Sequence, residues 1–164
     1  MAISNAFKNR INDLAKEKKD MNNIGRTELA RKMSVDFSSL ANALNYGIIP
    51  TIRILTRIAD YFNVSFYYLL GRTNSENFVK STSGETFSVR IELLCNKRKV
   101  TFAQVSTVCR INRGYMKRWT KKNYTPSLEY IEILTKYFKV SPDYLIGRSD
   151  DEGVYIEENQ EKVL

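Results

Sequence analysis

The densest group of side chains able to bind a charged partner is a run of arginine and lysine residues in the second half of the chain. Residues 113–122 hold five cations and no acidic side chain, the cations being Arg113, Lys117, Arg118, Lys121 and Lys122. A basic folded unit favours an anionic partner, of which nucleic acid is the usual one. The alternative is a solvated basic face, with Trp119 in the core behind it.

Other kinds of chemistry have little support in the sequence. There is no histidine, so the commonest general base and the commonest metal ligand are missing. The two cysteines, Cys95 and Cys109, have no second pair and no histidine to complete a zinc site. No glycine-rich phosphate loop and no Ser/Lys autoprotease segment occurs. We therefore expect a protein that is not an enzyme and uses no metal or cofactor, with both cysteines as small core residues on helices.

The same features suggest a compartment. Two unpaired cysteines and the lack of a leader sequence are typical of a reducing cytoplasm. No apolar run approaches the roughly 18 residues that a membrane-spanning helix needs. The sequence thus predicts a cytoplasmic protein without a membrane partner.

One sequence pattern occurs twice, and this sets the expected domain organisation. Residues 61–72 and 137–148 are identical at eight of twelve positions, at an offset of 76. The first helix realigns at an offset of 80, so the first copy has four extra residues, which we expect in the loop around Asp20 to Gly25. Such a repeat favours two similar units over a single domain. We expect domains at 1–72 and 85–148, a polar linker at 73–84 and an acidic tail at 149–164.

Charge follows the same division. Residues 1–80 carry 12 basic and 7 acidic side chains, and residues 81–148 carry 13 and 5. Residues 149–164 carry one basic and six acidic side chains. Both expected domains are therefore basic, and the tail is acidic.

Apolar residues recur at helical spacing throughout, which predicts an all-α fold with five short helices in each unit. The first unit should have helices at about Phe7–Ala15, Arg26–Met33, Phe37–Asn45, Thr51–Phe62 and Ser65–Leu70. The second should have them at about 85–97, 102–109, 113–120, 128–138 and 142–146. Candidate N-caps are Thr51, Asn112, Ser127 and Ser141. Gly47 and Asn123, which follow the third helix of each unit, tolerate the positive φ of a helix-ending turn.

Residues 29–40, Leu-Ala-Arg-Lys-Met-Ser-Val-Asp-Phe-Ser-Ser-Leu, resemble the helix-turn-helix of the phage repressor and Cro-like (XRE-type) family. The second unit is similar at Val105-Ser106, Ile111-Asn112 and Met116. The resemblance implies two tandem five-helix domains of the lambda-repressor type. Small residues at Ala30 and Ser106 would let the second and third helices cross closely, and the third helix would enter the DNA major groove.

The resemblance also implies which residues of the second unit meet double-stranded DNA. Arg113, Gly114 and Arg118 match base-reading positions, and arginine can pair with guanine O6 and N7. Gly114 would allow close approach. Tyr115 and Lys117 lie where phosphate or base contact is possible, and Lys121 and Lys122 suit phosphates.

The equivalent helix of the first unit is uncharged. By the same match Phe37, Ser38 and Asn42 would face bases, with Ser39 beside them and Arg26 at a phosphate-contacting position. Phe37 suits a thymine methyl group and Asn42 suits adenine. Leu44 stands where the family often has an acidic residue, and such a face could equally bind another protein.

Two further features leave alternatives open. Phe66 and Tyr67 replace Pro142 and Asp143 on the fifth helix, which suggests either an interface or local packing. The tail 149–164 is either a disordered, solubilising end or an arm that docks on a partner or competes with DNA.

Together these features predict a transcriptional regulator, by default a repressor of phage or mobile-element type. Its two unlike heads would act as a covalent pseudo-dimer on an operator with two unlike half-sites. A homodimer is also possible. The alternative function is a protein-interaction regulator, such as an antirepressor or antitoxin-like factor, in which one unit binds a regulatory protein.

Overall fold

A computed structural model describes residues 2–157 of the chain. These residues form two compact units, one built mainly from residues 2–78 (unit 1) and the other from Val79–Ile156 (unit 2). Ten α-helices account for their regular structure, together with one isolated bridge between Ile3 and Ile48. The predicted all-α class is confirmed for this part of the chain. The division falls within the segment expected to be a linker.

Unit 1 contains the first five helices, which are α1 (Asn5–Asn22), α2 (Arg26–Met33), α3 (Phe37–Tyr46), α4 (Ile52–Phe62) and α5 (Phe66–Leu69). Unit 2 contains the other five, which are α6 (Phe87–Arg98), α7 (Phe102–Val108), α8 (Arg113–Lys122), α9 (Leu128–Phe138) and α10 (Pro142–Leu145). The ends agree with the sequence expectation to within about two residues except in α1. That helix runs through Asn22 because the four extra residues extend it instead of lengthening the loop.

Polar side chains at the helix starts satisfy otherwise unpaired backbone N–H groups. Asn112 and Ser141 accept hydrogen bonds from the N–H groups of Gly114 and Tyr144, as their positions predict. Thr51 and Ser127 occupy the N-cap positions of α4 and α9 without a side-chain bond to the helix. The predicted positive φ is present at the C-terminal ends of α3 and α8, with 67° at Gly47 and 54° at Asn123.

Each unit buries the apolar stripe of its fourth helix. In α4 the buried residues recur every three or four positions and are Ile52, Leu55, Ile58, Ala59 and Phe62. In α9 the corresponding set is Ile131, Leu134, Thr135 and Phe138. This spacing places the stripe on one face, against which the other helices pack.

Cys95 is buried and Cys109 is half-buried at the end of α7, and neither forms a disulfide. Burial raises the pKa of the Cys95 thiol to about 11 and also raises that of Cys109. Both thiols therefore stay protonated at neutral pH and are poor nucleophiles. The core role predicted for Cys95 is confirmed, whereas Cys109 lies at the margin of the core.

In unit 1 an arginine of the first helix fastens the chain that follows α5. The guanidinium carbon of Arg10 lies 4.0 Å from the ring centroid of Tyr68, a cation–π contact. The same guanidinium donates a hydrogen bond of 2.9 Å to Asn74 Oδ1. The beginning of the expected linker is therefore tied to α1.

Unit 2 has the same arrangement with a carboxylate in place of the amide. Arg90 is only 4% exposed, and its guanidinium carbon lies 4.4 Å from the ring centroid of Tyr144. It donates to Asp150 Oδ1 at 2.5 Å. Further along, Lys97 pairs with Glu152, and the Ser141 N–H donates to the Glu152 carbonyl.

These contacts bear on the acidic tail. Asp150 and Glu152 are held on α6 and beside the start of α10, so the expectation of a disordered end is wrong for the beginning of the tail. Residues 158–164 lie outside the described part of the chain. The idea that an arm competes with DNA is not supported by these two carboxylates, since neither is bound to α8.

We predict that Gly147→Ala destabilises unit 2 by about 1–3 kcal/mol more than Gly84→Ala does. Both glycines have positive φ, 81° and 69°, so both substitutions cost backbone strain. A Cβ at Gly147 would stand 2.0 Å from the Glu85 carbonyl oxygen, whereas one at Gly84 meets nothing within 4 Å. Trp119, the one tryptophan of the sequence, reports unfolding of unit 2 by fluorescence in urea. Equal losses in the two variants would contradict the close approach.

A second prediction concerns pH. Hydrogen bonds from Ser81, the Thr82 N–H and Ser83, with a further bond from Arg90, hold the pKa of Asp150 well below its usual range. A lowered folded-state pKa stabilises the fold above the unfolded value of about 3.9, and the effect is lost as the pH falls further.

Asp150→Asn should therefore lower the melting temperature of unit 2 at pH 7, with the deficit against wild type narrowing below about pH 4. Asp151→Asn, which removes the same charge one residue later, is the matched control and should change the melting temperature little at pH 7. A deficit for Asp150→Asn that stays constant down to pH 2 would contradict the role given to the carboxylate.

Candidate nucleic-acid interface

The helix α8 begins at a fixed point because its N-cap side chain bonds the first turn. Asn112 Oδ1 accepts the Gly114 N–H at 2.7 Å, and the Asn112 carbonyl accepts the Tyr115 N–H at 3.0 Å. The remaining N–H groups of the first turn give this end of the helix a partial positive charge. That charge favours an approaching phosphate.

The inner face of α8 is anchored by two large apolar residues. Met116 is 2% exposed and Trp119 is 6% exposed. The Trp119 ring packs edge-on against Phe87 of α6, at 6.2 Å between centroids, and lies 5.0 Å from the ring of Tyr130 on α9. A hydrogen bond of 2.7 Å from Ser88 to the Thr120 carbonyl further ties α8 to α6.

Because these residues point inward, the predicted DNA-contacting side chains of α8 all lie on its exposed face. They are Arg113, Gly114, Tyr115, Lys117, Arg118, Lys121 and Lys122. Five of the seven are cationic, and Lys121 and Lys122 lie in the last turn, where the helix dipole favours them. The outer face of α8 is thus a dense basic surface with an apolar anchor behind it.

The connection between α7 and α8 fixes the angle between them. Arg110 has a φ of 54°, and the next N–H, that of Ile111, donates to the Ser106 carbonyl at 2.9 Å. The Ile111 side chain is buried below the turn. Ser106, whose carbonyl accepts this bond, is 3% exposed.

The connection between α2 and α3 in unit 1 has the same form. Ser34 has a φ of 56°, and the Val35 N–H donates to the Ala30 carbonyl at 3.0 Å. Asp36 then caps α3 by accepting the Ser39 N–H at 2.7 Å. This hydrogen bond is the main cause of the lowered pKa of Asp36. The capping carboxylate therefore remains charged at neutral pH.

The outer face of α3 differs from that of α8. Phe37 is 50% exposed, and Ser38 and Asn42 are exposed beside it, with Ser39 half-buried. Arg26, at the start of α2, donates to Asn45 Oδ1 at 3.1 Å, so its guanidinium is directed along the end of α3. Asn45 is not among the predicted site residues. Its hydrogen bond with Arg26 is what places it beside them.

Leu44 and the aromatic pair of α5 do not form exposed surfaces of unit 1. Leu44 is 3% exposed, so it belongs to the core side of α3 and not to the face available to a partner. Phe66 and Tyr67 are 0% and 4% exposed, so they fill the interior instead of forming an exposed aromatic patch on α5. Helical spacing alone did not reveal this because α5 is a single turn, in which every residue is buried.

Part of unit 1 is similar to a known family. Residues 15–69, which are 55 of the 164 residues, match the model of a family described as helix-turn-helix. The model is of the XRE-type helix-turn-helix, and the matched residues all lie in unit 1. The match includes α2, the turn and α3, the elements whose geometry is given above, and the family is one of DNA-binding regulatory domains and not of enzymes. No curated protein and no solved structure gives a significant match to the chain.

Metal ions and membranes are two other kinds of partner. Among residues 2–157 no group of three or more histidine, cysteine or acidic side chains is arranged to hold a metal ion. None of the helices in that part of the chain is long and apolar enough to cross a membrane.

The buried hydroxyl of Ser106 leads to a prediction about the stability of unit 2. Ser106 Oγ is buried and has no hydrogen-bond partner within the described residues. Removing it in Ser106→Ala should stabilise unit 2 by about 1 kcal/mol, since a buried hydroxyl without a partner costs about 1–3 kcal/mol. The matched change Ala30→Ser should destabilise unit 1 by a similar amount. Urea unfolding followed by Trp119 fluorescence measures the first and circular dichroism the second. A destabilised Ser106→Ala would mean that the hydroxyl is bonded in solution.

Proposed function

We propose that the protein is a sequence-specific, DNA-binding transcription regulator that reads DNA with α3 and α8. The observation that carries the proposal is the outer face of α8, with five exposed cations on a helix whose inner side is fixed by Met116 and Trp119. The helix-turn-helix match of unit 1 supports the same activity for α3. Regulation of transcription also fits a cytoplasmic chain without a membrane partner.

Unit 2 is, in this proposal, a second helix-turn-helix copy. Arg110 has a positive φ, as does Ser34 at the equivalent position 76 residues earlier. The N–H of the next residue, Ile111, donates to a carbonyl of the preceding helix, as that of Val35 does in unit 1. The chain then carries two unlike reading helices and acts as a covalent pseudo-dimer. The second head binds at the high effective concentration set by its tether.

The two helices favour different bases. Arg113 and Arg118 of α8 suit guanine, whereas Phe37 and Asn42 of α3 suit thymine and adenine. We therefore propose an operator with two unlike half-sites, one containing guanine and the other rich in A·T pairs. Blocking of RNA polymerase at such a site, as repressors of phage and mobile elements do, is the regulatory outcome that the family resemblance favours.

The test compares two pairs of substitutions in unit 2. Arg113→Ala and Arg118→Ala should each cost about 1–3 kcal/mol of binding to the preferred duplex and reduce discrimination at one position. Lys121→Ala and Lys122→Ala should weaken binding to all duplexes alike and lower the salt dependence by about one phosphate each.

Fluorescence anisotropy at several salt concentrations measures both effects, and Trp119 emission checks that each variant is folded. If the arginine variants lose no more discrimination between duplexes than the lysine variants, α8 contacts only the sugar-phosphate backbone of the DNA. If none of the four changes DNA binding, the proposed role of α8 is wrong.

A second candidate function applies to unit 1, because the exposed face of α3 has no charge and presents Phe37 to solvent. In that case α3 binds another regulatory protein while α8 alone reads DNA. Phe37→Ser with Asn42→Ala distinguishes the two. Loss of affinity for the A·T half-site supports DNA reading, and unchanged DNA affinity with loss of regulation in cells supports protein binding.

A further inference from the structure

The side chain of Tyr115 lies between the core of unit 2 and the basic face of α8. Its ring is 6.0 Å from that of Trp119 and 5.7 Å from that of Tyr130. Trp119 and Tyr130 are themselves 5.0 Å apart, so the three rings form one cluster. Tyr115 is the outermost member, at 41% exposure.

Arg118 lies one turn further along the same face. Its guanidinium carbon is 5.8 Å from the centroid of the Tyr115 ring, within the range of a cation–π contact. Residues three apart on a helix are neighbours, so this contact follows from their spacing. Among residues 2–157, the Arg118 guanidinium contacts the Tyr115 ring and forms no hydrogen bond or ion pair.

Unit 1 has no counterpart of this arrangement. At the offset of 76 the positions of Tyr115, Arg118 and Trp119 are taken by Ser39, Asn42 and Ala43. Ile54 stands in the place of Tyr130. The aromatic cluster is therefore a feature of the helix that carries arginine, and it is missing from the helix that carries asparagine.

An arginine side chain loses rotamer entropy when it is ordered at a binding site. A ring that already holds the guanidinium reduces this loss at the moment of binding. Since Tyr115 is itself held by the buried ring of Trp119 and the half-buried ring of Tyr130, its orientation does not depend on DNA.

We infer that Tyr115 is a positioning residue, which holds the Arg118 guanidinium in place for base reading instead of contacting DNA chiefly through its own hydroxyl. The effect of Tyr115 on DNA reading rests on the proposed function. The contact itself is a property of the free protein, and the two can be tested separately.

The first test uses the free protein. A side chain stacked on an aromatic ring has its proton resonances displaced by the ring current. Tyr115→Leu should return the Arg118 side-chain protons towards ordinary values and lower the order parameter of its Nε–H group. Tyr115→Phe should leave both unchanged, because the ring is retained. Unchanged Arg118 signals in Tyr115→Leu would overturn the inference whether or not the protein binds DNA.

The second test measures selectivity, as the ratio of affinities for the preferred duplex and for one with the Arg118-contacted guanine replaced. Tyr115→Leu should reduce this ratio about two- to fivefold, the range of an exposed cation–π contact, and Tyr115→Phe should preserve it. In an Arg118→Ala background, Tyr115→Leu should have no further effect, because the coupled partner is missing.

Each other outcome has a distinct meaning. Equal losses in Tyr115→Phe and Tyr115→Leu would assign the effect to the hydroxyl and overturn the inference. A full additional loss in the Arg118→Ala background would do the same. Wild-type protein that does not discriminate between duplexes would refute the proposed function, while the free-protein signals would still decide the contact. Trp119 emission and thermal melting check the fold of each variant. If Tyr115→Leu unfolds, Tyr130→Leu is a second variant, because it removes one of the two rings that hold Tyr115.

Discussion

The structure of each unit depends on how closely its second and third helices cross. The turn between them has one residue at positive φ, and the next N–H bonds back to the preceding helix, at Val35 in unit 1 and Ile111 in unit 2. The side chains of these two residues are buried, so the turn is fixed from below. A small residue at the crossing, Ala30 or Ser106, completes the constraint. With the crossing set, one face of α3 or α8 must point away from the core.

What each outward face carries is then a matter of sequence, and here the two units separate. The outer face of α8 is cationic and is backed by aromatic rings, whereas that of α3 is uncharged and presents one phenylalanine. The same scaffold thus offers two surfaces of different chemistry. Such a division favours two unlike binding sites over a symmetric pair.

Much of the fold was predictable because helical spacing, caps and glycine positions are local signals. The start of α8 followed from Asn112, and the ends of α3 and α8 followed from Gly47 and Asn123. The surface was less predictable. The burial of Phe66 and Leu44 depends on neighbours that are distant in sequence, and the ties of Arg10 and Arg90 to later residues are contacts of the same long-range kind. The site residues proposed for α8 come from the family resemblance and the run of cations, whereas the ring contact of Arg118 is visible only in three dimensions.

In the proposed function both α3 and α8 read DNA. The most direct measurement is selection of bound sequences from a random duplex pool by the full-length chain at two salt concentrations. The account predicts one motif with two unlike halves, one with guanine and the other rich in A·T pairs, whose enrichment persists at the higher salt. A single short motif would contradict the two-headed reading, and the absence of any motif at either salt would contradict DNA recognition itself.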